Sequence, residues 1–117
     1  IVVYGIPAYL ESILLNFTTN AFKYQDPGRR LELSFSIAKK KNFIILIIED
    51  NGLGIDLARH RHKLFGMYKT FHRHKDSRGI GLFITKNQIE AMGGKVAVES
   101  MVGKGTKFKV YLRYEKN

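Results

Sequence analysis

The chain has no cysteine in 117 residues. That excludes a disulfide scaffold and a thiolate metal site, and it fits a reducing compartment. No apolar run is long enough to span a bilayer, and no secretion signal is visible. Acidic residues are scarce, 10 against 20 lysines and arginines, which leaves a formal charge of +10. Such a balance points to an anionic partner (nucleotide phosphates, nucleic acid or a lipid surface) or to a solvated basic surface. Aromatics are not interleaved with the basic runs as in single-strand binders, so no nucleic-acid partner is expected. The four histidines, His60, His62, His72 and His74, have no carboxylate cluster beside them, which argues against zinc. The chain also lacks a Walker lysine loop, a Gly-x-Gly-x-x-Gly dinucleotide pattern and a nucleophile elbow.

What remains is an ordinary globular composition, 44% apolar, in a length that suits one domain over residues 1–117. The chain opens on Ile1-Val2-Val3-Tyr4 without a Met, so it is expected to be a piece of a longer protein. Leu10, Ile13, Leu14, Phe17, Ala21 and Tyr24 recur at helical spacing and predict a helix over 7–24, with Pro7 in its first turn. Asp26-Pro27-Gly28 ends it. Leu31, Leu33, Phe35 and Ile37 alternate with polar residues, predicting a half-buried strand over 31–38. Lys39 to Asn42 reads as a polar hairpin tip, and Phe43 to Ile48 as a central strand buried on both faces. Residues 56–78 are irregular, with a short helix expected at 56–64. Gly79 to Met92 reads as a second helix stopped by Gly93-Gly94. Strands are expected at Lys95–Ser100 and Thr106–Tyr114. Helices separated by hairpins predict an α+β fold, a two-layer sandwich with helices on one face of a mixed sheet.

Four segments carry chemistry. Asn16, Asn20 and Lys23 lie at i, i+4 and i+7, one polar stripe beside the apolar face. Amide oxygens suit a hard cation such as Mg2+, and a lysine one turn on suits phosphate. A solvated helix flank is the plainer account of an isolated Asn pair. Asp50 ends the buried strand, where a carboxylate can accept from the exocyclic amine of adenine. Gly52 and Gly54 then remove side chains where backbone and base approach closely, although Asp-Asn-Gly is also a common turn. Arg78-Gly79-Ile80-Gly81-Leu82 opens a helix with free backbone N–H groups and the positive end of its dipole, a natural anion site. Gly103-Lys104-Gly105-Thr106 by itself reads as a β-turn.

Together, and in this order, these blocks resemble the ATP-binding catalytic domain of sensor histidine kinases, part of a wider group with the gyrase B subunit and the large heat-shock chaperones. Asn16 to Tyr24 is similar to the asparagine box of that family, and Asp50 to Ile55 to its first glycine box. Lys63-Leu64-Phe65-Gly66-Met67 is similar to its phenylalanine box, and Ser77 to Leu82 to its second glycine box. Gly103 to Thr106 is similar to the glycine motif that follows. The resemblance covers about Pro7 to Leu112.

The resemblance implies the Bergerat fold, ATP and Mg2+ as ligands, and residues 56–78 as a lid over the nucleotide. It implies Asn20 as the Mg2+ ligand with Asn16 as its upstream partner, Lys23 at phosphate and Tyr24 beside adenine. Asp50 would read the adenine amine, with Gly52 and Gly54 shaping its slot. Gly79 and Gly81 would hold phosphates, with Arg78 next to them where Ser77 replaces the usual glycine. The boxes also place Ile55, Phe65, Leu82 and Thr106 at the nucleotide. Relatives that hydrolyse ATP carry a glutamate four residues before the metal-binding asparagine. Here that position is Asn16, and an amide cannot take a proton from water. Phosphoryl transfer needs mainly positioning and charge neutralisation from such a domain, so the expected role is a histidine kinase. No catalytic residue is assigned within this stretch. The resemblance implies that the γ-phosphoryl acceptor is a histidine on a dimerisation domain of the same protein, with a response regulator as the indirect partner. The parent is expected to be a homodimer, with this domain cytoplasmic and a membrane anchor elsewhere in the parent an open matter. The alternative is a nucleotide-binding regulatory module or pseudokinase without transfer.

Overall fold

The computed structural model describes residues 7–59 and 78–113. The first helix, α1, is Pro7–Lys23. Its buried residues, Ile13, Phe17 and Ala21, stand four apart and form the stripe that the core needs. Past its end, the Asp26 carboxylate accepts the Gly28 N–H at 2.8 Å, which fixes the turn. Strands β1 (Leu33–Lys40) and β2 (Phe43–Asp50) then form a hairpin. Its two-residue tip puts Lys41 at a φ of 56°, the left-handed conformation that tight hairpins require at that place.

The second helix, α2, is Arg78–Ala91. The Gly94 N–H bonds the Ile89 carbonyl, and the Gly93 N–H bonds that of Glu90, with Gly93 at a φ of 82°. This double bond pattern closes a helix end and needs a residue without a Cβ penalty. Strands β3 (Lys95–Met101) and β4 (Gly105–Arg113) form the second hairpin.

The sheet order is β1-β2-β4-β3. All three pairings among the described residues are antiparallel, where a mixed sheet is expected from the sequence. The reason is topological. The α2 crossover does carry the chain from β2 to a strand running the same way, β3. However, β4 folds back between them and pairs with both, so the parallel relation is split.

The register assigns the faces. Ile44, Leu46 and Ile48 of β2 stand opposite Leu112, Val110 and Phe108 of β4, and Val98 of β3 stands opposite Phe108. These are the core positions, and the Phe17 ring of α1 packs on the Phe108 ring with centroids 4.6 Å apart. Leu82 and Ile89 of α2 complete the core with no exposed surface. Both helices therefore lie on one face, as expected for the α+β sandwich.

Two burial expectations need correction. Phe35 and Ile37 alternate toward the helix side but are 48% and 67% exposed. They sit on β1, the edge strand, beyond the reach of helices that pack over β2, β4 and β3. In β2, Ile44, Ile45 and Ile48 are buried, while Phe43, Leu46 and Ile47 are half-buried, so the strand is not covered on both faces along its whole length. Ile45 stands directly opposite Tyr111, whose ring meets Phe43 edge-on at 5.9 Å. No described helix is long and apolar enough to cross a membrane.

Candidate functional site

Three chain ends converge at one end of the sheet. β2 finishes at Asp50, directly opposite Thr106 of β4, and Ser100 of β3 stands opposite Thr106 in turn. Each lies two residues along from a core position (Ile48, Phe108 and Val98), so all three project to the helix side. The end of α1 comes to the same place, for the Leu53 N–H bonds the Tyr24 carbonyl at 3.0 Å. α2 runs the opposite way to α1. Gly94, just past its C-terminal end, lies against the Tyr111 backbone, several residues along β4 from Thr106. Fourteen residues of helix cover roughly 21 Å, so the first turn of α2 returns to the Asp50–Thr106 end.

Asn16 and Asn20 are half-buried on the α1 flank, and Lys23 follows, exposed. The Asn16 Nδ2 donates to the Thr85 hydroxyl of α2 at 2.8 Å. The Lys23 ammonium lies 5.6 Å from the centre of the Tyr24 ring. Asn16, the first member of the polar stripe seen in the sequence, thus faces α2.

The Asp50 carboxylate is fixed by its own turn, in which Oδ1 accepts the Gly52 N–H at 2.8 Å. The clearance at the two glycines after it is filled by this chain's own backbone. A Cβ on Gly52 would meet the Tyr24 carbonyl oxygen at 2.7 Å, and one on Gly54 would collide with the Met101 carbonyl. Gly54 also takes a φ of 79°. The glycines therefore let the 51–55 loop lie between the end of α1 and the β3–β4 turn. Any slot they shape for a ligand follows from that docking.

Ser100 joins the pieces. Its hydroxyl accepts the Ile55 N–H at 2.8 Å, donates to the Gly105 carbonyl at 2.8 Å and meets the Thr106 hydroxyl at 2.8 Å. The Gly103 N–H bonds the Leu53 carbonyl at 2.8 Å. A second clasp holds the loop from the other side. Arg29 donates to the Asn51 and Gly52 carbonyls and pairs with Asp26, and the Asn51 side chain bridges the Glu32 N–H and the Arg30 carbonyl.

Of the residues read from the sequence, Tyr24, Asp50 and Thr106 are brought to this end, with Lys23 beside Tyr24, while Asn20 and Asn16 lie about one and two turns back along α1. Ile55 and Leu82 have core side chains, 6% and 0% exposed, so they offer a ligand little beyond backbone and floor. Arg78, Gly79 and Gly81 occupy the first turn of α2, whose N–H groups have no intrahelical acceptor. Phe65, all four histidines and most of the expected lid lie outside the described residues. The described start of the lid is a helical turn at 57–59, capped by Asp56 through the Arg59 N–H. Thr85, Ser100, Asn51 and Arg29 are not identifiable as site residues from the sequence. For Thr85 and Ser100 a faint signal exists: each is a small polar residue at a core-facing place in an apolar periodicity.

Among the described residues, the resolved titration shifts belong to a hydrogen-bonded ion pair on the opposite face of the sheet. The Lys109 ammonium, 2.7 Å from Glu99, holds the Glu99 carboxyl below the usual range, and Glu99 raises Lys109 in return. Both sit on the sheet face away from the helices.

The sequence of the chain is similar to those of known proteins. The family model for "Histidine kinase-, DNA gyrase B-, and HSP90-like ATPase" matches residues 5–116. The sensor protein SrrB of Staphylococcus aureus, in strains NCTC 8325 / PS 47, COL and MSSA476, is 35% identical over 107 residues, or 88% of this chain. The chain spans 18% of the length of these curated relatives.

Proposed function

Because the chain belongs to the histidine kinase-, DNA gyrase B- and HSP90-like ATPase family, we propose that it holds ATP where Asp50, the end of α1 and the first turn of α2 meet, and that within a longer protein it supplies the γ-phosphoryl group to a histidine. Membership makes it an ATP-binding domain of the kind found in histidine kinases. The residue roles, the metal, the acceptor and the partners are the proposal.

The observation that carries this reading is the convergence itself. Support comes from three separated segments: the Asp50 carboxylate and the lysine end of the α1 stripe lie toward one end of the sheet, the glycine-opened start of α2 runs toward it, and Asn16 ties α1 to α2 behind them. Asp50 accepts from the adenine amine, its carboxylate already oriented by the Gly52 N–H. Tyr24 lies beside the base. Lys23 and the first-turn N–H groups of α2, at Gly79 and Gly81, face phosphate.

The donors fit Mg2+. Since the nitrogen of Asn16 is given to Thr85, its oxygen is the atom left for a cation. Asn20, one turn on, is a neutral oxygen donor of the kind a hard cation takes. When bound, Mg2+ supplies charge neutralisation on the phosphates. The residues of this chain supply positioning. None of Asn16, Asn20 and Lys23 is placed to act as a carboxylate base toward water, which favours transfer over hydrolysis.

The acceptor histidine is assigned to a helical dimerisation domain of the same protein, with a response regulator downstream and a homodimeric parent. This domain is assigned to the cytoplasmic side, whether or not the parent is membrane-anchored. The test is to mix the chain with the helical domain of its parent and γ-labelled ATP. Acid-labile, base-stable label on a histidine of that domain is expected. Tight ATP binding with no transfer under those conditions would establish the alternative, a nucleotide-sensing module without kinase activity.

A further inference from the structure

The hydrogen bond between Asn16 and Thr85, 2.8 Å long, links the two helices near the proposed site. Thr85 has no exposed surface, and it sits on α2 between the core residues Leu82 and Ile89. A hydroxyl buried among such neighbours costs stability unless it is hydrogen-bonded, and an apolar residue would satisfy packing alone. Helical spacing sets what lies one turn away. Four residues on from Asn16 is Asn20, and four residues before Thr85 is Gly81. The bond is therefore a strut one turn behind the α1 amide and the α2 first turn that the proposed site uses. It also fixes the rotation of the Asn16 amide, which would otherwise be free to present either its oxygen or its nitrogen.

We infer that Thr85 is a positioning residue: through Asn16 it sets the spacing of α1 and α2 and the amide orientation that a divalent cation and its phosphates meet. The inference rests on the reading of this end as the ATP site. It separates from a packing role because packing affects nucleotide binding equally with and without metal.

The test compares wild type with Thr85→Val, which keeps the shape and loses the hydroxyl, and with Thr85→Ser, which keeps the hydroxyl. ATP affinity is measured by calorimetry in Mg2+ and in excess chelator, with melting curves and Asn16 side-chain amide resonances recorded without nucleotide. The expected result is that Thr85→Val loses roughly fivefold of the Mg2+-dependent gain in affinity, with little change in chelator. Its Asn16 amide resonances move, and Thr85→Ser behaves as wild type. Should the valine variant not fold, Thr85→Ala gives the same contrast with serine. A full Mg2+-dependent gain in Thr85→Val would overturn the inference. Equal losses in the valine and serine variants, or equal losses with and without metal, would do the same. Wild-type binding beside an unaffected valine variant removes the strut alone. A wild type that binds no ATP in either condition removes the site reading and the strut together.

Discussion

Asp50 and Thr106 face each other across β2 and β4, the last pair of that ladder, on the side of the sheet that carries the helices. Thr106 is almost fully buried and its hydroxyl meets Ser100, while the Asp50 carboxylate accepts the Gly52 N–H. An acid that would read the base thus sits beside a hydroxyl already held by its neighbours. Asp50 is held by its strand and its turn, and Thr106 by its strand and by Ser100.

Asp50→Ala should therefore reduce the preference for ATP over GTP by about 10- to 100-fold, the range for a hydrogen bond to a charged group. A competition titration measures it. Equal preference in variant and wild type would remove Asp50 from base recognition.

Asn20→Ala should lose Mg2+-dependent ATP affinity while the melting temperature stays near wild type, because Asn20 lies off the buried stripe of Ile13, Phe17 and Ala21. Calorimetry with and without Mg2+ gives the comparison. An unchanged metal effect would take Asn20 out of the cation site.

Gly54→Ala should destabilise the fold by about 1–3 kcal/mol, the range for a strained backbone position. Two features cause it, the φ of 79° and the Met101 carbonyl lying where the Cβ would go. Thermal melting reports the loss. A variant as stable as wild type would mean that the 51–55 loop does not dock on the β3–β4 turn as described.

The exposed Glu99–Lys109 pair gives a pH signature. Glu99 titrates below its ordinary value, so its contribution is present above the ordinary carboxylate range and fades as pH falls through the depressed value. Lys109 is raised, so its contribution fades only as pH rises through that raised value. The melting curves of Glu99→Gln and wild type should differ slightly at neutral pH, converge in acid, and also converge in high salt. A gap that persists in acid would assign the effect to something other than this pair.

The pattern of the sequence carried most of the architecture for a physical reason. Ile13, Phe17 and Ala21 obey a helical period and Ile44 to Ile48 a strand run, and the turn residues at 26–28 and 93–94 stop their elements where local chemistry requires. The edge position of β1 was hidden. Phe35 and Ile37 alternate as buried residues do, and only the placement of the helices leaves them exposed. The asparagine stripe was legible because both residues lie on one helix. Ser100 and Thr85 were not, since their partners, Ile55 and Asn16, lie 45 and 69 residues away and hydrogen bonds over such separations leave no local pattern. The role of Gly52 and Gly54 was half legible. The need for close approach was plain, but the approaching groups are the Tyr24 and Met101 carbonyls.

The most direct measurement is an isotope-resolved NMR titration of the chain with ATP and Mg2+ into the millimolar range. The account predicts saturable shifts at the Asn16, Asn20, Tyr24, Asp50 and Gly81 amides, with the Lys41 hairpin tip unmoved. Spectra that stay unchanged throughout, or that move uniformly with no saturation, would contradict it.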